Sequence, residues 1–276
     1  MNRLPSTPLL LLVGLLLVPL WACTDSEVDG ASVIHTTASG IDLSGTYRRP
    51  SSSERQPTLL LLHETGFGHS RHDFDDIWDS LTDAGYGLVA PDLRSHGLSD
   101  PAGALGDLRL DPDGYPEDVR GWLGFISDRA EAGDPLDRSR VGIVGLGTSA
   151  SLGAAALGKG YVNCAVSLSP STEELNAFEA GFPREGEVPA GGGAGDDDDS
   201  AEDGPAILTD NVELHSVRWM ASVGDEPSAT DLPALYESTA EPRDLVEEGG
   251  AFHALELLQV SEDNQRAVIE WCLEIL

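Results

Sequence analysis

Apolar residues fall in short blocks along the chain, and the blocks follow two spacings. Residues 58–62 (TLLLL) and 86–91 (YGLVAP) are almost wholly apolar over strand length, as in strands covered on both faces of a parallel sheet. Residues 141–146, 162–168 and 218–223 read the same way. Between them the spacing turns helical. Residues 74–84 have it, and residues 116–132 open with Pro116 and repeat apolar positions at Val119, Trp122, Leu123 and Ile126. Small residues predict a helix over 149–157, and two further helices are predicted over 232–239 and 264–275. Ahead of these, residues 32–37 and 41–47 predict a hairpin around Ala38-Ser39-Gly40, followed by a loop over 51–57. Strands that alternate with helices predict an α/β fold: one mostly parallel sheet with helices on both faces and an N-terminal β-hairpin.

The chain has 276 residues, and 40% hydrophobic residues are enough for a sizeable core. Charge narrows the function classes. With 16 Lys+Arg against 48 Asp+Glu the formal net charge is −32, so a phosphate backbone is repelled and nucleic acid is excluded as a partner. Basic-patch attachment to anionic lipid is excluded for the same reason. Three cysteines are too few for a disulfide scaffold, and Cys164 and Cys272 read as small buried hydrophobes.

The N-terminus reads as an address. Arg3 precedes an apolar run over residues 9–20, broken by Gly14 and Pro19 and too short to span a bilayer, which takes about 20 residues. Leu20-Trp21-Ala22-Cys23 then resembles a bacterial lipobox, in which Cys23 carries the lipid. The expected layout is a signal peptide over 1–22, a lipid-attached tether over 23–31 and one domain over 32–276. That placement implies a cell-envelope protein, held to the membrane by a lipid anchor and facing the periplasm or exterior. A glycine-rich stretch followed by Asp196-Asp197-Asp198-Asp199 marks residues 182–205 as a solvated, flexible acidic insertion. It lacks the ligand spacing of a calcium loop.

Three places carry candidate chemistry. Leu62-His63-Glu64-Thr65-Gly66-Phe67-Gly68 follows a buried strand, and its glycines suit backbone N–H groups turned into a cavity, as an oxyanion hole needs. Gly145-Leu146-Gly147-Thr148-Ser149-Ala150-Ser151 lies at a strand-to-helix turn. Asp225 follows a late strand, and His253 precedes the last helix. Together they have the chain order nucleophile, acid, histidine. His69 and His72 have no third ligand nearby and read as solvent-facing, so no metal and no cofactor is expected.

With Pro91-Asp92-Leu93-Arg94-Ser95-His96-Gly97-Leu98-Ser99-Asp100 added, the chain resembles the α/β-hydrolase family, nearest its dienelactone-hydrolase-like and small esterase members. The resemblance covers residues 32–276 apart from the insertion, and it implies the α/β-hydrolase fold and carboxylic-ester chemistry on a small-molecule acyl or carboxyl ligand. His63 and His96 match family loop positions and are expected at the pocket rim.

The departure lies at the nucleophile. Members carry G-x-S-x-G; a motif begun at Gly145 puts Gly147 at the serine position and Ser149 at the last glycine. This register leaves His253 and Asp225 without a nucleophile, so the protein would be weakly active or ligand-binding only, and Gly147→Ser is expected to restore esterase activity. The other register, Gly147-Thr148-Ser149-Ala150-Ser151, lengthens the strand by two residues and gives an active esterase: Ser149 attacks, His253 is the base, Asp225 orients it, and N–H groups of Ala150 and of Glu64 or Thr65 form the oxyanion hole. The Gly147 register is favoured because it keeps the strand at its ordinary length.

Overall fold

The computed structural model describes residues 30–101, 111–183, 216–222, 224–225, 228–240 and 242–276. The expected signal peptide, Cys23 and nearly all of the acidic insertion lie outside the described residues. Among the described residues, no helix is long and apolar enough to cross a membrane.

Eight strands form one sheet: β1 (Ala31–Thr36), β2 (Asp42–Arg48), β3 (Gln56–Leu62), β4 (Gly87–Pro91), β5 (Leu136–Leu146), β6 (Cys164–Leu168), β7 (Ser216–Ser222) and β8 (Arg243–Glu248). Their spatial order is β1-β2-β4-β3-β5-β6-β7-β8. The hairpin is antiparallel and joins β4 antiparallel; every pair from β4 to β8 is parallel. The order reverses at β3, and the ends of β3 and β5 sit side by side, with Leu62 paired to Gly145. In open parallel sheets such a reversal opens a crevice beyond the strand ends.

Helices α1 (Asp75–Asp83), α2 (Gly114–Glu131), α3 (Thr148–Gly158), α4 (Thr172–Glu179), α5 (Ser228–Ser238), α6 (Leu255–Val260) and α7 (Glu262–Ile275) complete the chain. Two apolar clusters follow from the pleat of the central strands. Leu60, Leu62 and Ile143 face one cluster with Val119 and Trp122 of α2; Leu59, Leu61 and Val144 face the other with Ile77 and Trp78 of α1 and Trp271 of α7. Both faces of β3 and β5 are therefore buried, which is why their sequences do not alternate.

The segments expected as strands and helices are all present among the described residues, and besides a single 3-10 turn at Arg71–Phe74 three elements are additional. β8 (RDLVEE) is an edge strand with charged residues at both ends, α6 has only six residues, and α4 carries acids in its first turn. None has the apolar spacing of the core elements. α5 begins at Ser228, earlier than Leu232, with Pro233 inside it.

One buried ion cluster fixes the loop after β4. Arg94 donates from Nε and Nη2 to Asp118 Oδ1 of α2 at 2.9 and 2.6 Å, while its backbone N–H reaches Asp118 Oδ2 at 2.9 Å. Glu117 accepts a further bond from Nη2 at 2.8 Å. Removing one member of a buried pair leaves the other desolvated. Asp118→Ala is therefore expected to destabilise the fold by about 3 kcal/mol, measured by urea unfolding, with the midpoint lowered and the slope unchanged.

Candidate active site

The turn between β5 and α3 is at Gly147, with φ 55° and ψ −122°. Few side chains tolerate this backbone region without strain, and it is the geometry that lifts a residue above a strand-to-helix turn. Helix α3 then passes so close to β5 that a Cβ on Gly145 would lie 2.2 Å from the Ser149 carbonyl oxygen. The turn therefore has the register that begins at Gly145 and puts Gly147 at its tip. Gly147 supplies no side chain there.

Ser149 lies one residue into α3, wholly buried, and its hydroxyl donates to the His63 carbonyl at 2.6 Å. The expected contact with His253 is thus replaced by a bond down into the sheet. The Ala150 N–H is likewise engaged, by the Gly147 carbonyl at 2.9 Å, and does not serve as the oxyanion donor expected of it. Thr148 donates its hydroxyl to Glu174 Oε1 of α4 at 2.7 Å.

The His253 ring has two partners, and both are carboxylates. Nδ1 meets Asp225 Oδ1 at 2.7 Å, and Nε2 meets Glu64 Oε1 at 3.0 Å. Ionised carboxylates only accept, so with both ionised each ring nitrogen carries a proton and the ring is an imidazolium. The same contacts hold its pKa up at about 9, the Glu64 bond first, against the desolvation of a partly covered ring. The Glu64 side chain reaches this point because Gly147 leaves room: a Cβ on Gly147 would lie 2.7 Å from Glu64 Cδ and Oε1. Thus Glu64, expected to contribute a backbone N–H, brings a carboxylate to the place above the turn.

Five loops converge to hold this array. Gly224 N–H bonds to the Gly250 carbonyl, tying the loop after β7 to the loop after β8. Ser169, just after β6, accepts the Ala254 N–H on its hydroxyl at 2.8 Å and so fixes the residue beside His253. Glu64 is held through its neighbour His63, whose Nδ1–H donates to the Glu64 carbonyl at 2.5 Å while Nε2 accepts the Leu93 N–H at 3.0 Å. Both nitrogens are engaged in the neutral form, and burial pushes the His63 pKa down to about 3. His96 repeats the pattern, accepting the Gly66 N–H on Nε2 and donating from Nδ1 to the Arg94 carbonyl. These histidines were expected at the pocket rim; they are buried beneath it and fasten the loops after β3 and β4 together.

A cavity of about 360 Å³ opens above the turn, lined by Glu64, Thr65, Gly66, Phe67, His69, Thr148 and Glu174. His69 was expected to face solvent but turns into this cleft, with Nδ1 at 2.8 Å from Asp73. Burial pushes the Glu174 carboxyl up, and the charge of Glu64 adds to the shift. Glu174 and the carboxylate role of Glu64 were missed in the sequence. One signal was available for Glu64: the residue after His63 is an acid, facing a turn whose residue Gly147 carries no side chain.

A hydrolase-type sheet order, a sharp turn after β5 and an acid–histidine pair after β7 and β8 define the class. A model of the alpha/beta hydrolase family matches residues 59–271, and the chain belongs to that family. Among solved structures it is similar to an esterase from Pyrococcus furiosus, at 17% identity over 91% of this chain and 94% of that one, with a TM-score of 0.63. A dienelactone hydrolase from Anabaena variabilis is similar at 15% identity, 89% and 95% coverage and a TM-score of 0.61. So is an α/β serine hydrolase without lid from Xanthomonas campestris, at 16% identity, 89% and 94% coverage and a TM-score of 0.55. Likeness at these identities speaks for the fold. No curated protein matches the sequence.

The charge state of His253 has a measurable sign. Its folded pKa lies above the unfolded value near 6.5, so its stabilising contribution is complete below about 6.5 and is lost as pH rises through about 9. An NMR titration of the imidazole is expected to give an apparent pKa near 9 in the wild type and a lower value in Glu64→Gln. The same substitution should flatten the fall in stability between pH 7 and 10.

Proposed function

We propose that this protein is a ligand-binding descendant of a carboxylic-ester hydrolase, without serine-esterase turnover, working at the bacterial envelope from a lipid anchor on Cys23. One observation carries the reading: the Glu64 carboxylate sits 3.0 Å from His253 Nε2 above a glycine turn. A histidine base must arrive with a free lone pair on Nε2, and an imidazolium has none. The turn also lacks a hydroxyl to activate. Losing the serine of such a triad costs on the order of 10⁶ in kcat, about 8 kcal/mol of transition-state stabilisation.

A shaped cleft is what the loss leaves. Its lining combines two carboxylates with Thr65, Thr148 and the ring of Phe67. That mixture favours a neutral, acyl-bearing small molecule with hydrogen-bond donors over a free carboxylate, which Glu64 and Glu174 would repel. The lipobox-like Leu20-Trp21-Ala22-Cys23 supports the envelope placement.

The test is direct. The wild type should not react with a fluorophosphonate probe and should not turn over short acyl esters. Gly147→Ser alone, expected from the sequence to restore activity, brings its Cβ against Glu64 and leaves His253 charged. Labelling should therefore be weak in Gly147→Ser and strong in Gly147→Ser with Glu64→Gly, with ester hydrolysis rising by at least about 10³-fold over wild type. Probe labelling of the wild-type protein that is abolished by Ser149→Ala would overturn the reading.

A further inference from the structure

The cleft holds a second acid–histidine pair. His69, in the loop after β3, meets Asp73 Oδ2 through Nδ1 at 2.8 Å, and the Asp73 side chain is largely buried in the turn Arg71–Phe74. An ionised carboxylate accepts, so the neutral ring carries its proton on Nδ1 and leaves a lone pair on Nε2. His69 and Glu64 both line the cavity, and Nε2 lies 4.0 Å from Glu64 Oε2, too far for a hydrogen bond. Neither atom has a hydrogen-bond partner among the described residues. The contrast with His253 is plain, since both nitrogens of that ring are taken. Through its other oxygen, Oε1, Glu64 already has its charge matched by His253. What remains between His69 and Glu64 is a pair of acceptors that cannot satisfy each other. Thr65 supplies the complement: it lines the same cavity, and its hydroxyl has no hydrogen-bond partner among the described residues, whereas the Thr148 hydroxyl is committed to Glu174. Phe67 adds an exposed aromatic ring to the lining.

We propose that the gap between His69 Nε2 and Glu64 Oε2 is a subsite for a primary carboxamide, whose –NH2 donates to both atoms while the Thr65 hydroxyl donates to its carbonyl. A nitrogen about 2.9 Å from each acceptor sees the two roughly 90° apart, within the angular spread of hydrogen bonds from the two hydrogens of one –NH2 group. A hydroxyl has one hydrogen and satisfies one acceptor only. An ester has none to give, and a carboxylate is repelled by Glu64 and Glu174. A primary ammonium has enough hydrogens but no carbonyl for Thr65, and the His253 charge beside Glu64 lessens the attraction for a further cation. Phe67 then packs on the apolar remainder of the ligand. No bond is made or broken; the amide is held. The subsite rests on the ligand-binding reading above, in which Glu64 stays on His253, and it adds the chemical class of the ligand.

The experiment uses the full chain in detergent, with protein-free micelles as the blank, and reads binding by fluorine NMR. The probes are 4-fluorobenzamide, its N,N-dimethyl analogue, which keeps the carbonyl and lacks both hydrogens, and 4-fluorobenzylamine. The wild type is expected to bind the primary amide at least about tenfold more tightly than the dimethyl analogue, as the loss of hydrogen bonds implies. His69→Phe keeps a ring and removes the acceptor; it should weaken the primary amide about tenfold and leave the dimethyl analogue unchanged. That unchanged binding also shows that the variant is folded. Thr65→Val and Phe67→Ala should weaken both amides alike, because carbonyl and ring are common to them. An amide affinity unmoved by His69→Phe overturns the subsite, and so does an equal loss for both amides. No measurable binding of 4-fluorobenzamide, or tighter binding of 4-fluorobenzylamine, overturns it as well. Fluorophosphonate labelling of the same samples separates this result from the reading beneath it. If the wild type is labelled at Ser149 while amide binding still depends on His69, the disarmed site falls and the subsite stands. If the wild type is unlabelled and amide binding ignores His69, the subsite falls alone.

Discussion

The cleft is organised around an imidazolium held between two carboxylates over a residue with no side chain. Each part requires the others. The turn at Gly147 has the backbone of a site that presents a side chain, and in the absence of one there is space for Glu64 to enter. Once Glu64 bonds to Nε2 while Asp225 bonds to Nδ1, the ring is charged, and the charge in turn holds Glu64 against the turn. The loops after β3, β7 and β8 are thereby tied to one another by a single ring.

Packing beneath the cleft holds the architecture whatever residue stands at the turn. Gly145 permits the close pass of α3 over β5, and Ser149 fills the next position with a hydroxyl bonded to the His63 carbonyl. Those contacts serve the fold whether or not the turn carries a nucleophile. The Arg94–Asp118 cluster does the same for the loop after β4. Each of these contacts stabilises the sheet independently of the turn, so an intact frame and a turn without a hydroxyl coexist without contradiction.

The core strands were legible in the sequence because burial on both faces leaves an unbroken apolar run, as in Leu59 to Leu62. The hairpin and the α2 helix were legible from Gly40 and from the spacing of Val119, Trp122 and Ile126. β8 was not, because an edge strand with charged ends has no apolar period to detect, and the six residues of α6 are too few to show one. At the site, the positions of Gly147, Asp225 and His253 were readable from chain order. The partner of His253 was not. Which of several nearby groups occupies the space above Gly147 depends on side-chain reach across a loop, and the sequence points to Glu64 only for its backbone. The locations of His63 and His96 misled for a related reason: matching positions on a loop do not reveal which side of the loop faces inward.

His63 has a further consequence. Its two nitrogens are occupied in the neutral form, and the folded protein takes up a proton there only near pH 3, whereas the unfolded chain accepts one near 6.5. Acidification therefore draws the equilibrium toward the unfolded chain throughout that interval. The stress enters at the seam joining the first two loops of the crevice, while the ring above is already saturated with protons and feels no change.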